Sequence, residues 1–179
     1  SPIPSGFFNF FVTQPGEARG LTWLTYQLGD IFSTWAVVAR LMPDSIATPD
    51  TAFQTTTQST EYAAAASTRR RWVIRSEYYN RDFENNIRVA YSDTARIWHE
   101  VTRLGVNEDQ CTVAPLGDTT AMVVYAGLSG LEYAILDGSS WSETGNIDPR
   151  PFTASHPELR LRRSGGLWLF WSDNDWIHM

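Results

Sequence analysis

The chain has 179 residues, 42% hydrophobic and 19% charged, which suits one domain with a real core and excludes a disordered polymer. Its net charge of −6 and pI near 5.0 argue against nucleic acid as a partner, since phosphate binding needs a basic face. Cys111 is the only cysteine, so no internal disulfide forms, and no run approaches the roughly 18 apolar residues of a membrane-spanning helix.

In chain order, Ser1 to Gly6 is a Pro/Gly lead-in, and Phe7 to Val12 reads as a first strand ended by Gln14-Pro15-Gly16. Leu21 to Tyr26 alternates as a strand, Leu28-Gly29-Asp30 turns the chain, and Ile31 to Leu41 is a second apolar run. A short helix around Gly29 to Phe32 is the alternative there. Pro43 to Thr60 reads as a long surface loop leading into an edge strand, because its prolines bar a helix and its Thr run favours extended chain. Glu61 to Ser67 is helical by propensity and a strand by context. Arg71 to Tyr79 is a strand. Gly105 to Gly117 reads as a polar loop, Ala121 to Tyr125 as a strand, and Gly145 to Pro157, with three prolines, as a loop. Leu159 to Arg163 alternates and turns at Ser164-Gly165-Gly166.

Three stretches share one pattern: a small residue, an alternating apolar strand, an Asp-containing turn, and a return strand that opens on an aromatic or aliphatic residue. They are Asn86 to Asp93 with Ile97 to Glu100, Gly130 to Asp137 with Trp141 to Glu143, and Gly166 to Asp173 with Trp176 to His178. Each reads as a β-hairpin. No segment holds a helical apolar period over ten or more residues. The fold class is therefore all-β, an antiparallel β-sandwich or barrel built from repeated hairpins, with about ten to twelve strands expected. The units start 44 and then 36 residues apart (Ile87, Leu131, Leu167), less even than propeller repeats, which places a propeller-like arrangement second.

One β-rich domain is expected over residues 1–179. The start at Ser1-Pro2 without Met, and the stop in the strand-like Trp176 to Met179, lead to the expectation of a piece of a longer chain.

The chemistry-bearing residues are aromatic and polar rather than catalytic. Eight Trp stand beside fourteen basic residues, all of them Arg, and Arg stacks on aromatic faces and forks to carboxylates. His99, His156 and His178 lack metal spacing. No phosphate loop, nucleophile elbow or His-Glu-x-x-His motif occurs. No catalytic residue, metal or cofactor is expected, and the chain is read as not an enzyme. Asp93, Asp137 and Asp173 sit in the hairpin turns, where they serve turn geometry or accept hydrogen bonds from sugar hydroxyls. Asp173-Asn174-Asp175 also has the look of a calcium-loop fragment, without the distal Glu. Trp72, Trp98 and Trp168 lie at strand positions that favour the core, while Trp141 and Trp176 follow turns where one ring face can stay open. Arg69-Arg70-Arg71 is expected to pair with acidic residues, an anionic contact being the alternative.

Sugar rings present flat C–H faces that stack on Trp, with Arg and carboxylates holding the hydroxyls. The candidate ligand-binding residues are therefore Arg88, Trp98, Glu100, Trp141, Asp173 and Trp176. Arg88 and Glu100 work together only if both point to one face of their hairpin.

Ile87-Arg88-Val89-Ala90-Tyr91 followed by Ile97-Trp98-His99-Glu100 resembles the blade motif of the fungal fucose-binding propeller lectins. That resemblance implies a sugar held by an Arg, a Glu and an aromatic residue. It covers about 14 residues, and the second and third units depart from it, with Glu132 and Trp168 where the first has Arg88.

The function expected is non-enzymatic surface recognition, binding a glycan or cell-surface receptor through Trp-rich hairpin turns. The chain would act outside the cell or on a virion surface, as a homo-oligomer, without nucleic acid or membrane insertion. The alternatives are a projecting spike domain of a viral capsid protein and an enzyme with dispersed catalytic residues.

Overall fold

A computed structural model of the chain describes the backbone of residues 10–12, 22–29, 34–42, 45–46, 50–55, 58–79, 84–94, 97–101, 104–105, 108–127, 130–150, 155–162, 164–173 and 176–179. Side chains are described within 51–52, 63–76, 86–93, 97–101, 110–126, 130–150, 155–162, 164–173 and 176–179, and at Leu104. Among these residues the protein is all-β and its sheets are antiparallel, with no helix.

Four sheets follow one another along the chain. The first holds β1 (Phe10–Val12), β2 (Thr22–Gly29) and β3 (Thr34–Met42), with β4 (Ser45–Ile46) and β5 (Asp50–Thr55) both paired to β3. The second runs β6 (Gln58–Ala66), β7 (Arg71–Tyr79), β8 (Glu84–Thr94), with β9 (Ile97–Glu100) and β10 (Leu104–Gly105) both on β8. The third is β11 (Glu108–Pro115), β12 (Thr120–Gly127), β13 (Gly130–Asp137) and β14 (Ser140–Asp148). The fourth is β15 (Ser155–Leu161), β16 (Leu167–Ser172) and β17 (Ile177–His178).

Period-two alternation decides how the sheets stack. Trp72, Ile74, Ile87 and Val89 leave one face of the second sheet. They meet Cys111, Val113, Ala121, Val123, Tyr125, Ala134 and Leu136 from the third, forming one core. The opposite face of the third sheet sends Ala114, Val124, Ala126 and Leu131 against Leu159, Leu167, Leu169 and Trp171 of the fourth, forming another. β11, β12 and β13 of the third sheet thus contribute to cores on both faces. β11, the first strand of its sheet, packs on β6 and on β15, the first strands of the sheets before and after it. β5 of the first sheet touches β8, and β1 touches β6.

The expected hairpins are present, and the sheets pack face to face as sandwich layers do. Their uneven spacing has a structural reason. The first two hairpins are the third and fourth strands of their sheets, whereas the last is the second and third of the fourth sheet. Like strands compared with like give a steady period: β2, β7, β12 and β16 begin at Thr22, Arg71, Thr120 and Leu167, 47 to 49 residues apart. The three hairpins lie in three different sheets.

Several segments differ from expectation. Gly105 to Gly117 is not a loop, since β11 occupies most of it. Its Cys111, Thr112, Val113 and Ala114 are small enough to be buried on both faces, and so lack the apolar alternation of a one-sided strand. The Pro43 to Thr60 segment holds β4, β5 and the start of β6, with Pro43 and Pro49 preceding the strands as proline tolerates. The expected edge strand is β6 itself, and it settles Glu61 to Ala66 as strand. β14 runs on to Asp148 and β15 begins at Ser155, shortening the Gly145 to Pro157 loop. Seventeen strands among the described residues exceed the ten to twelve expected, because several are only two or three residues long. Of the Phe7 to Val12 strand, residues 7–9 lie outside the described set, as do residues 30–32 of the alternative helix.

Candidate functional site

The second face of the second sheet, turned away from the core shared with the third, carries Arg71, Arg75, Arg88, Ser92, Trp98 and Glu100. Arg75 and Arg88 stand directly opposite each other on β7 and β8, an arrangement that costs energy unless carboxylates or dipoles offset it. Glu100 does so for Arg88: the Arg88 Nε–H donates to Glu100 Oε1 at 2.5 Å, and Nη2 closes on the same oxygen. The Arg88 side chain is 12% exposed and that of Glu100 43%, so the pair stands at the open margin of the sheet. Arg71 Nη2 donates to Ser92 Oγ at 3.0 Å, and its guanidinium lies over the Trp98 ring with 5.3 Å to the centroid.

The one-face condition is therefore met. Arg88 and Glu100 touch, and Trp98, two residues before Glu100 on β9, shares its face. Trp98 is half-buried, and its Nε1–H has no acceptor among the described residues. The residue that the motif does not reveal is Arg71. It belongs to the preceding strand, and only the β7–β8–β9 pairing brings it over Trp98.

Trp141 takes another place. It pairs with Leu136 across β13 and β14, is half-buried, and packs against the core between the second and third sheets. The structure does not bring it to the Arg88 group. Asp173 and Trp176 lie together in the last hairpin. Asp173 Oδ1 accepts from the Trp176 backbone N–H at 3.0 Å, and the Asp173 N–H donates to Trp176 O at 2.9 Å. Asp173 Oδ2 meets His178 Nε2 at 2.7 Å, and the His178 ring stacks on Trp171 with 5.1 Å between centroids. Trp176 is 72% exposed, with Ile177 and Met179 also exposed. Arg150 joins the group, forking onto Asp148 at 2.5 to 3.0 Å and reaching Asp173 Oδ2 at 3.6 Å. The hydrogen bonds from Arg150 hold the Asp148 carboxyl below the usual carboxylate range.

Trp72 is fully buried in the core, as its strand position led one to expect, whereas Trp168 is 39% exposed under the Arg162 guanidinium at 4.6 Å. Two members of the arginine triplet, Arg69 and Arg70, pair with acidic groups. Arg69 approaches Asp118 at 3.5 Å, and Arg70 grips Asp93 with Nε–H to Oδ1 at 2.5 Å and Nη2–H to Oδ2 at 2.8 Å. Arg70 Nη1–H also donates to the carbonyls of Thr119 and Gly138, while its guanidinium covers Tyr91 at 4.0 Å. One side chain thereby ties the end of β8 to the turns β11–β12 and β13–β14.

No group of three or more His, Cys, Asp or Glu side chains among the described residues is arranged to hold a metal ion. No protein-family model matches the chain, and no curated protein matches it.

Proposed function

We propose that the protein is a non-enzymatic recognition domain that binds a glycan, displayed on a cell-surface receptor, from an extracellular or virion-surface position. The observation that supports this reading is the meeting of Arg88, Trp98 and Glu100 on one sheet face, largely buried, at the margin where Glu100 is exposed. A guanidinium and a carboxylate there offer donors and acceptors for vicinal hydroxyls beside an aromatic ring. Because Arg88 and Glu100 already hold each other, ligand binding costs little side-chain entropy. Trp176, hydrogen-bonded to Asp173, provides an exposed ring elsewhere on the molecule.

A glycan array tests the reading. The wild-type protein retains a defined set of glycans, and Glu100→Gln, which keeps the shape and removes the charge, loses them while its melting temperature shows that it is folded. Retention of the same glycans by Glu100→Gln would sink the proposed site, and an empty array would sink the reading itself. The exposed apolar group of Trp176, Ile177 and Met179 favours a second role in contacts between copies, as a projecting capsid domain would need. Light scattering decides that point: a monomer at every concentration removes it.

A further inference from the structure

Residues of the turns β6–β7, β11–β12 and β15–β16 line an open groove of about 200 Å³. Pro115, Leu116 and Leu161 give it apolar lining, with Leu116 49% exposed. Its polar side is prearranged: Thr68 Oγ1–H donates to Asp118 Oδ1 at 2.5 Å, Arg69 approaches Oδ2 at 3.5 Å, and Ser67 Oγ–H donates to Asp118 O at 2.8 Å. Arg162, exposed, lines the groove from the fourth sheet, and its guanidinium carbon lies over the Trp168 ring. None of the candidate residues Arg88, Trp98, Glu100, Trp141, Asp173 or Trp176 lines it. The length of β16, six residues or roughly 20 Å, separates it from the Trp176 turn.

Size and charge narrow the occupant. Drug-sized ligands fill pockets of about 300 Å³ and more, so this groove takes a single ring. Arg69 and Arg162 outnumber Asp118, giving a local excess of positive charge on a chain of net charge −6. Arg162 lies 4.6 Å from the Trp168 ring centroid, and a guanidinium is suited to forking onto a carboxylate. We infer that the groove is a second binding site, for one carboxylate-bearing sugar residue of the uronic acid type. Arg162 takes the carboxylate, Asp118 and Thr68 meet ring hydroxyls, and Leu116 and Leu161 meet the C–H face. The inference rests on the reading of the protein as a glycan-binding domain.

Solution NMR of the whole chain, following the Trp168 indole N–H, tests it with three probes: glucuronic acid, its methyl ester and benzoate. Glucuronic acid shifts the Trp168 signal saturably, the ester binds at least tenfold more weakly, and benzoate does not compete. Arg162→Gln lowers glucuronate affinity at least tenfold, and Arg162→Lys, which keeps the charge but not the fork, falls between. Arg162→Gln leaves array glycans that depend on Glu100 untouched. Equal binding of acid and ester, equal binding of benzoate, or unchanged affinity in Arg162→Gln overturns the groove assignment alone. Failure of every saccharide, on the array and in the titration, overturns the glycan reading with it.

Discussion

Replacing Arg70 by Ala tests whether one buried guanidinium holds the hairpin turns in register. Arg70 is 6% exposed and bonds Asp93, Thr119 and Gly138 while covering Tyr91. The Asp93 side chain is 49% exposed, so water replaces much of what that carboxylate loses. The unrecovered part is two backbone carbonyls left without their charged donor, about 1 kcal/mol each at the low end, and a cation–π contact of about 1 kcal/mol. The sum, about 3 kcal/mol, sits at the lower edge of the range for breaking a buried ion pair from one side. For a domain of this size it lowers the melting temperature by roughly 6–12 °C. Urea unfolding followed by circular dichroism measures it. A pH series adds a signature. Hydrogen bonds from Arg70 hold the Asp93 pKa below its usual value, so its contribution is present above the ordinary carboxylate range and is lost as pH falls through the depressed pKa. The gap between wild type and Arg70→Ala should therefore narrow from about pH 4 downward. A loss under about 0.5 kcal/mol at neutral pH, the size of an ordinary surface change, refutes the clamp.

Other substitutions probe separate points. Gly130→Ala places a Cβ 2.1 Å from the Asp148 carbonyl oxygen at φ 103, so backbone must shift, and the protein should lose about 3 kcal/mol or fail to fold in the same urea assay. Asp173→Ala removes the acceptor for Trp176 N–H and His178, and should cost about 1–2 kcal/mol while shifting the Trp171 and Trp176 indole signals. Tyr133 donates its hydroxyl to Glu143 at 2.6 Å, which raises its pKa above the usual value near 10. Its stabilising part is present below that usual value and fades as pH rises through the raised one. In ultraviolet titration Glu143→Gln should bring one tyrosine back to earlier ionisation.

The sequence carried the fold class and the hairpins because alternation and Asp turns are local signals. It did not carry β11, whose Cys111-Thr112-Val113-Ala114 run is buried on both faces by small residues and so shows no one-sided pattern. Nor did it reveal the repeat of 47 to 49 residues, because the third motif copy sits one strand earlier in its sheet than the other two. At the site, Arg88 and Glu100 were legible as residue types, but that they share a face came only from the β8–β9 register. Arg71 was not, because it comes from a neighbouring strand. Trp141 looked open from its place after a turn, yet its pairing with Leu136 points it at the core. The groove joins turns from three sheets, a meeting that no short motif encodes.

The central claim is that Arg88, Trp98 and Glu100 form a glycan site. Nitrogen-resolved NMR of the wild-type protein, titrated with a glycan retained on the array, tests it most directly. Saturable shifts of the Arg88 Nε–H and Trp98 indole N–H signals, absent in Glu100→Gln, are the predicted result. Saturable binding that leaves both signals in place contradicts the account.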